Sequence, residues 1–176
     1  MTFTSRHQTS IVGGLLAAIV SISVSGCSSE VSNSYAAEAV VVYTWHVNYI
    51  DEMRENRVRV EKFASTSLVN RNGERPDDAV TGPDDKGLWW PALPPRPTVD
   101  ELEARMKDSD RMEPPQLIKS AEYAVTFTSN GQNKTLPTDY SVYRQVVKAI
   151  PNQVPLEFVL APDERSVTQA KPSVGN

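Results

Sequence analysis

The stretch Ala39-Val-Val-Val-Tyr-Thr-Trp-His-Val-Asn-Tyr-Ile50 decides the fold of this chain. Its large apolar side chains recur at every second position, which is typical of a strand with one buried face. His46 falls on the other face of that strand, beside small polar residues. The side chains expected to face the core are Val41, Tyr43, Trp45, Val47 and Tyr49.

The segment that follows can be interpreted in two ways. Valines alternate with charged residues at the start of 57–69, which favours a second strand that pairs back as a long hairpin. The alternative is a helix over 51–64, because the residues that begin it are good helix formers. In that helix Arg57 would lie in the apolar seam between Met53 and Val60, so the strand is the favoured prediction.

A second hairpin is predicted in the C-terminal half. Asn130-Gly131 is a residue pair strongly preferred in two-residue turns. The strand before it, Ala121–Thr128, alternates apolar and polar side chains. This turn would place Val125 opposite Leu136, so the predicted register pairs an apolar residue with an apolar residue.

Two helices and a final strand complete the predicted fold. Thr98 and Glu101 form a capping-box pattern that begins the first helix. The second helix is predicted over 139–150, where apolar side chains recur along one face. Apolar residues then alternate over 156–160, as in a strand. The prediction is therefore an α+β fold with a largely antiparallel sheet, two helices and a long proline-rich loop.

That loop spans residues 70–97 and contains many turn-forming pairs. Two tryptophans within 88–97 argue against simple disorder, so we expect an extended, polyproline-like segment lying across the sheet. Three interpretations stay open: the rings pack on this protein's own sheet, they contact a partner protein, or they form a platform for carbohydrate or another ligand. The residues predicted for partner contact are Trp89, Trp90, Pro91, Leu93 and Pro94.

The N-terminus has the pattern of a secretory signal. A short start containing Arg6 precedes an uncharged apolar run of about 14 residues, Ile11–Val24, and small residues follow. A bilayer-spanning helix needs about 20 apolar residues, so this run is too short to be one. The run ends in Val24-Ser25-Gly26-Cys27, which resembles the lipobox of bacterial lipoproteins. The alternative is a plain signal peptide with an incidental cysteine.

The lipobox resemblance implies cleavage after Gly26 and a lipid on Cys27, which would become the first mature residue. In the family's sorting rule an aspartate after the cysteine favours the inner membrane; Ser28 stands there, which implies the outer membrane, facing the periplasm. The segment around Trp89–Pro97 resembles small uncharacterised cyanobacterial lipoproteins, which would add the thylakoid side as an alternative location. The predicted organisation is a signal peptide (1–26), a lipidated N-terminus with a flexible tether (27–37), one α+β domain (38–162) and a mobile polar tail (163–176).

Composition excludes several functions for the mature protein. Loss of Arg6 with the signal changes the net charge from −4 to −5, and this mildly acidic charge offers no electrostatic case for nucleic acid, which requires a basic patch. His46 is the only mature histidine and Cys27 the only cysteine, which excludes zinc sites built from several of these residues. No cofactor site, metal site or catalytic residue is predicted.

The favoured function is a non-catalytic, lipid-anchored cell-envelope protein that binds or scaffolds another envelope component. The alternatives are an envelope hydrolase using His46 and a small-ligand carrier. A hydrolase should place His46 in a cleft beside a carboxylate or hydroxyl group. A carrier should contain a closed apolar cavity, and a binding protein should expose an apolar patch.

Overall fold

An eight-stranded sheet and two helices make up residues 28–173, the part of the chain described by this computed structural model. The strand order is β1-β7-β8-β6-β5-β2-β3, and β4 pairs with β2 beyond the end of β5. Only the β6–β8 pair is parallel among the described strands, so the predicted α+β class with a largely antiparallel sheet is confirmed. In chain order the elements are β1 (Ser29–Ser32), β2 (Tyr35–Asp51), β3 (Arg57–Arg71), α1 (Val99–Glu103), β4 (Asp110–Met112), β5 (Gln116–Ser129), β6 (Gln132–Thr138), α2 (Tyr140–Ala149), β7 (Leu156–Leu160) and β8 (Val167–Pro172).

The two predicted hairpins are both present. β2 and β3 pair antiparallel along nearly their whole length, so the strand prediction for 57–69 is confirmed and the helix alternative is wrong. One register shift between Thr44 and His46 marks a bulge in this hairpin. In the β5–β6 hairpin Val125 lies opposite Leu136, and both turn residues, Asn130 and Gly131, have positive φ, as a tight two-residue turn requires.

The main core lies between one face of the sheet, called the inner face, and α2. The helix begins at the cap Asp139, whose carboxylate accepts the Val142 N–H at 2.9 Å. Phe127 of β5 and Phe158 of β7 stack in this core with ring centroids 4.4 Å apart. The helix buries four side chains against the sheet: Val142, Tyr143, Val146 and Ala149.

A smaller core lies at the far end of β2, under α1. Thr98 and Glu101 form the predicted capping box of this five-residue helix. Leu102 packs on Val47 and Tyr49, and the Tyr49 hydroxyl donates to the Leu102 carbonyl at 2.8 Å. Apolar packing and one buried hydrogen bond thus hold α1 on the same face of the sheet as α2.

The prediction of a flexible tether over 27–37 is wrong for its described part. β1 pairs with Leu156–Val159 of β7, and β2 already begins at Tyr35. The Ser28 carbonyl also accepts the Leu160 N–H at 2.9 Å. These backbone bonds come from residues far along the chain, so a Ser- and Asn-rich segment can join a sheet without an apolar pattern of its own.

The prediction of a mobile tail over 163–176 is also wrong, as far as residue 173. β8 pairs with β7 and buries Val167 and Ala170 in the main core. The domain predicted over 38–162 therefore extends at both ends, because its two terminal segments are held by non-local strand pairing.

The predicted signal peptide, with Gly26 and Cys27, lies outside the described residues. Between residues 28 and 173, neither helix combines the length and the apolar character that crossing a bilayer requires.

Candidate binding surfaces

The proline-rich segment 88–97, called the strap here, packs along the inner face of β2 and β3. Its burial repeats at every third residue, which is the period of a polyproline II helix and supports the extended conformation expected from the sequence. The buried positions with this period are Leu88, Pro91, Pro94 and Pro97, and Trp90 is buried in addition. Between Pro91 and Pro97 the intervening side chains, including Leu93, are exposed.

Side chains of the sheet hold the strap through hydrogen bonds to its backbone. Asn70, which is fully buried, donates to the Trp89 carbonyl at 3.0 Å and accepts the Trp89 N–H at 2.7 Å. The Trp45 indole donates to the Pro94 carbonyl at 3.0 Å. A polyproline helix makes no internal hydrogen bonds, so these contacts satisfy backbone groups that the strap cannot satisfy itself.

The predicted partner-contact residues separate into buried and exposed groups. The Trp90 ring is 6% exposed and lies 4.9 Å from the Tyr43 ring, and Pro91 and Pro94 are also buried. Burial therefore argues against partner contact by these three strap residues. Leu93 is 61% exposed, so contact through it stays a prediction.

Trp89 has an intermediate position in the strap. Its ring is partly buried, and the Arg75 guanidinium lies 5.1 Å from the ring centroid. Such a cation–π contact contributes about 0.5–1 kcal/mol at an exposed site. Partner contact through the remaining exposed part of Trp89 stays a prediction.

Asp84 connects the strap to the loop before it. Its carboxylate accepts the backbone N–H groups of Lys86 and Leu88 and the indole N–H of Trp90. Burial acts to raise the pKa of Asp84, but these hydrogen bonds outweigh it and hold the pKa below its ordinary value. The Asp84 carboxylate thus joins the loop to the start of the strap through three hydrogen bonds.

We expect Asn70→Asp to lower the free energy of unfolding by about 3 kcal/mol, because the buried strap contact loses its donor and gains an unpaired charge. Urea unfolding followed by circular dichroism measures this loss. Asn133→Asp is the matched control, since the exposed Asn133 side chain only accepts, from Thr128. Equal losses in the two variants would contradict the role assigned to Asn70.

The face of the sheet opposite the strap, called the open face, is not covered by either helix. Ser67, Val42 and Ser120 form one cross-strand row on it, and Ser65, Thr44 and Ile118 form the next. Neither row contains a charged side chain. Several apolar residues of this face are at least one-third exposed: Val40, Val58, Val60, Val69 and Ile118.

His46 lies on the open face, where it is half-buried. Its direct cross-strand neighbours are Lys62 and Gln116. Neither neighbour carries the carboxylate or hydroxyl group that the hydrolase alternative needs beside a general base. The direct cross-strand neighbours of His46 therefore supply no partner for the base that the hydrolase alternative needs.

A groove of about 500 Å3 crosses the open face between β2, β5 and β6. Its lining side chains range from half-buried to exposed, and Val40, Glu122 and Pro137 are exposed. It differs in this respect from the closed apolar cavity expected of a small-ligand carrier.

Comparison with known proteins gives no family for this chain. It matches no protein-family model, no curated protein and no solved structure. Within residues 28–173, no group of three or more His, Cys, Asp and Glu side chains could hold a metal ion.

Proposed function

We propose that this protein is a lipid-anchored component of the cell envelope that binds another envelope protein through its open face and catalyses no reaction. The observation that carries the proposal is the set of five exposed aliphatic side chains on that face: Val40, Val58, Val60, Val69 and Ile118. An antiparallel sheet with one solvated face ordinarily alternates apolar and polar residues, with its polar side chains toward water. An exposed apolar patch bordered by polar residues is typical of a protein–protein contact.

The edge strand β3 extends this surface. It is the last strand in the sheet order, and no described strand pairs with its outer edge. Its residues 63–70 include no charged side chain over eight positions. Natural proteins usually protect such an edge with charge, proline or a covering segment, since unpaired backbone groups there can pair with another chain. A partner that covers the open face and this edge would provide that protection.

Charge at the margins defines the partner's chemistry. Glu38 and Arg71 form a salt bridge of 3.1 Å beside Val40 and Val69, and Lys62 lies beyond the uncharged rows at the other end. The matching surface should be an uncharged aliphatic patch of a second protein with charges of both signs around it. In such an arrangement the charged residues at the margin would fix the orientation of the two proteins, and the uncharged centre would supply most of the binding free energy.

The membrane anchor would lie close to the folded domain. The Ser28 hydroxyl donates to Glu164 at 2.9 Å, in addition to the backbone bond between Ser28 and Leu160. A lipid on Cys27 would therefore be one residue from the sheet, beside the turn between β7 and β8. This geometry supports a partner in or at the same membrane over one that is reached by a long tether.

A photo-crosslinking amino acid at Ser120 tests the open face in cells that make the lipidated protein. We expect one crosslinked protein from Ser120 and none from Gln145, an exposed control position on α2. Val69→Lys should remove the product because it places a charge beside the uncharged rows. Val80→Lys makes the same change at an exposed position outside the sheet and should preserve the product.

Three outcomes of this crosslinking experiment would contradict the proposal. Equal products from Ser120 and Gln145 would show that the open face is not the binding surface. A product that survives Val69→Lys would place the contact elsewhere. A product of twice the chain's own mass would show self-association in place of a second protein.

A further inference from the structure

A cleft of about 380 Å3 separates α2 from the loop 84–87. The two walls are 54 residues apart in sequence and are joined where the Tyr140 hydroxyl donates to the Lys86 carbonyl at 3.3 Å. The Arg144 guanidinium donates to the same hydroxyl, also at 3.3 Å. The helix wall consists of Tyr140, Tyr143, Arg144, Val147 and Lys148.

The Tyr143 side chain is the unusual part of the lining. It is 3% exposed, and its hydroxyl has no hydrogen-bond partner among the described residues. The neighbouring Tyr123 hydroxyl is buried and unpartnered as well, and the two rings are 5.2 Å apart. A buried polar group without a partner costs about 1–3 kcal/mol, so two together require a reason.

Both hydroxyls keep their protons at physiological pH. Burial, with a smaller effect of the neighbouring tyrosines, raises the pKa of Tyr143 to about 12. Burial also raises the pKa of Tyr123. The Tyr143 hydroxyl is therefore a hydrogen-bond donor. It has almost no exposed surface, so an acceptor atom in the cleft would reach it through a small rotation of the Tyr143 side chain.

Three cationic side chains surround the same cleft: Lys86, Arg144 and Lys148. None of them forms a salt bridge within residues 28–173. Of the two lining carboxylates, Asp84 is engaged by three N–H groups, which leaves Asp85 as the only acid of the lining without a described hydrogen bond. The lining therefore carries three cationic and two anionic side chains, a formal net charge of +1.

We propose that this cleft binds the oxyanion group of a small molecule, a carboxylate or a phosphate, with the Tyr143 hydroxyl donating to it. Arg144 and Lys148 lie four residues apart on one face of α2 and so approach the same anion from one side. Lys86 approaches from the loop. Guanidinium and ammonium groups form short, charge-assisted hydrogen bonds with such oxygens. The site is separate from the open face and does not depend on the proposed function.

Isothermal titration of the purified chain with sodium phosphate and with sodium citrate, at ionic strength held constant with sodium chloride, tests the site. We expect saturable binding of at least one anion with a Kd of about 1 mM or tighter. The anion that binds with the lower Kd shows whether the cleft prefers a phosphate or a carboxylate group. Absence of saturable binding by both anions would overturn the proposal.

Tyr143→Phe removes only the hydroxyl. We expect it to weaken binding about tenfold and to raise the urea midpoint, because an unsatisfied buried group is lost. The pair Arg144→Gln and Lys148→Gln should weaken binding further, whereas Arg57→Gln, an exposed cation outside the cleft, should not. Unchanged affinity in Tyr143→Phe, or equal weakening by Arg57→Gln, would show that any anion bound in the titration is held elsewhere.

Discussion

Replacing Trp90 with alanine should lower the free energy of unfolding by about 3–5 kcal/mol, the range for truncating a large buried aromatic side chain. The ring is packed against Tyr43 in the main core. Its indole N–H also donates to Asp84 at 2.8 Å, so the substitution leaves a carboxylate oxygen without its partner. Small domains are stable by about 5–15 kcal/mol, so this loss is a large part of the total.

Urea unfolding followed by circular dichroism measures the effect of Trp90→Ala. Leu93→Ala is the control, because Leu93 belongs to the same strap but is exposed. Exposed substitutions ordinarily change stability by less than about 0.5 kcal/mol. Similar losses in both variants would mean that the strap does not pack on the sheet as described.

The measured stability of Trp90→Ala also decides whether this variant can be used to test partner binding by the strap. If Trp90→Ala unfolds the domain, the variant will fail to bind a partner because it is unfolded. Its failure to bind would then not show whether the strap contacts that partner. Leu93→Ala keeps the fold and removes the side chain that the strap exposes most clearly. It is therefore the variant that tests the contact predicted for Leu93.

Cys27→Ser should move the protein from the membrane fraction to the soluble fraction. Stable anchoring needs two lipid signals, and the lipid implied by the lipobox resemblance carries at least two acyl chains. The net charge of −5 expected after signal cleavage offers no attraction to anionic headgroups that could replace these chains. Fractionation, together with incorporation of labelled palmitate, measures the change.

Ser29→Ala is the control for Cys27→Ser, because it alters an exposed side chain two positions away and keeps the Cys27 thiol. It should leave both fractionation and labelling unchanged. If Cys27→Ser incorporates no palmitate and still remains in the membrane fraction, the proposed lipid anchor is not what attaches the protein. A soluble wild-type protein would favour a plain signal peptide with an incidental cysteine.

Local patterns were enough to predict most of the regular elements. The alternation in β2 arises because one face of the strand is buried, and Asn130-Gly131 is suited to the positive φ that its turn requires. The caps Thr98 and Asp139 satisfy backbone N–H groups of their own helices. Each of these signals depends on residues only a few positions apart, so a single sequence contains it.

The candidate sites could be predicted only in part. The sequence drew attention to Trp89–Pro97. It gave no sign that Asn70 would hold the strap, since an asparagine between a strand and a turn has many ordinary roles. Nor could it show that the loop 84–87 would form a cleft with α2.

The sequence by itself therefore determined the strand alternation, the turns, the helix caps and the signal-like N-terminus, because each depends on neighbouring residues. Only the tertiary structure decided that β1 and β8 join the sheet, since short polar segments become strands through backbone pairing with distant partners. It also decided which face of the sheet the strap covers. Burial of Trp90 and exposure of the opposite face follow from that choice, because one apolar segment can cover only one side of a sheet.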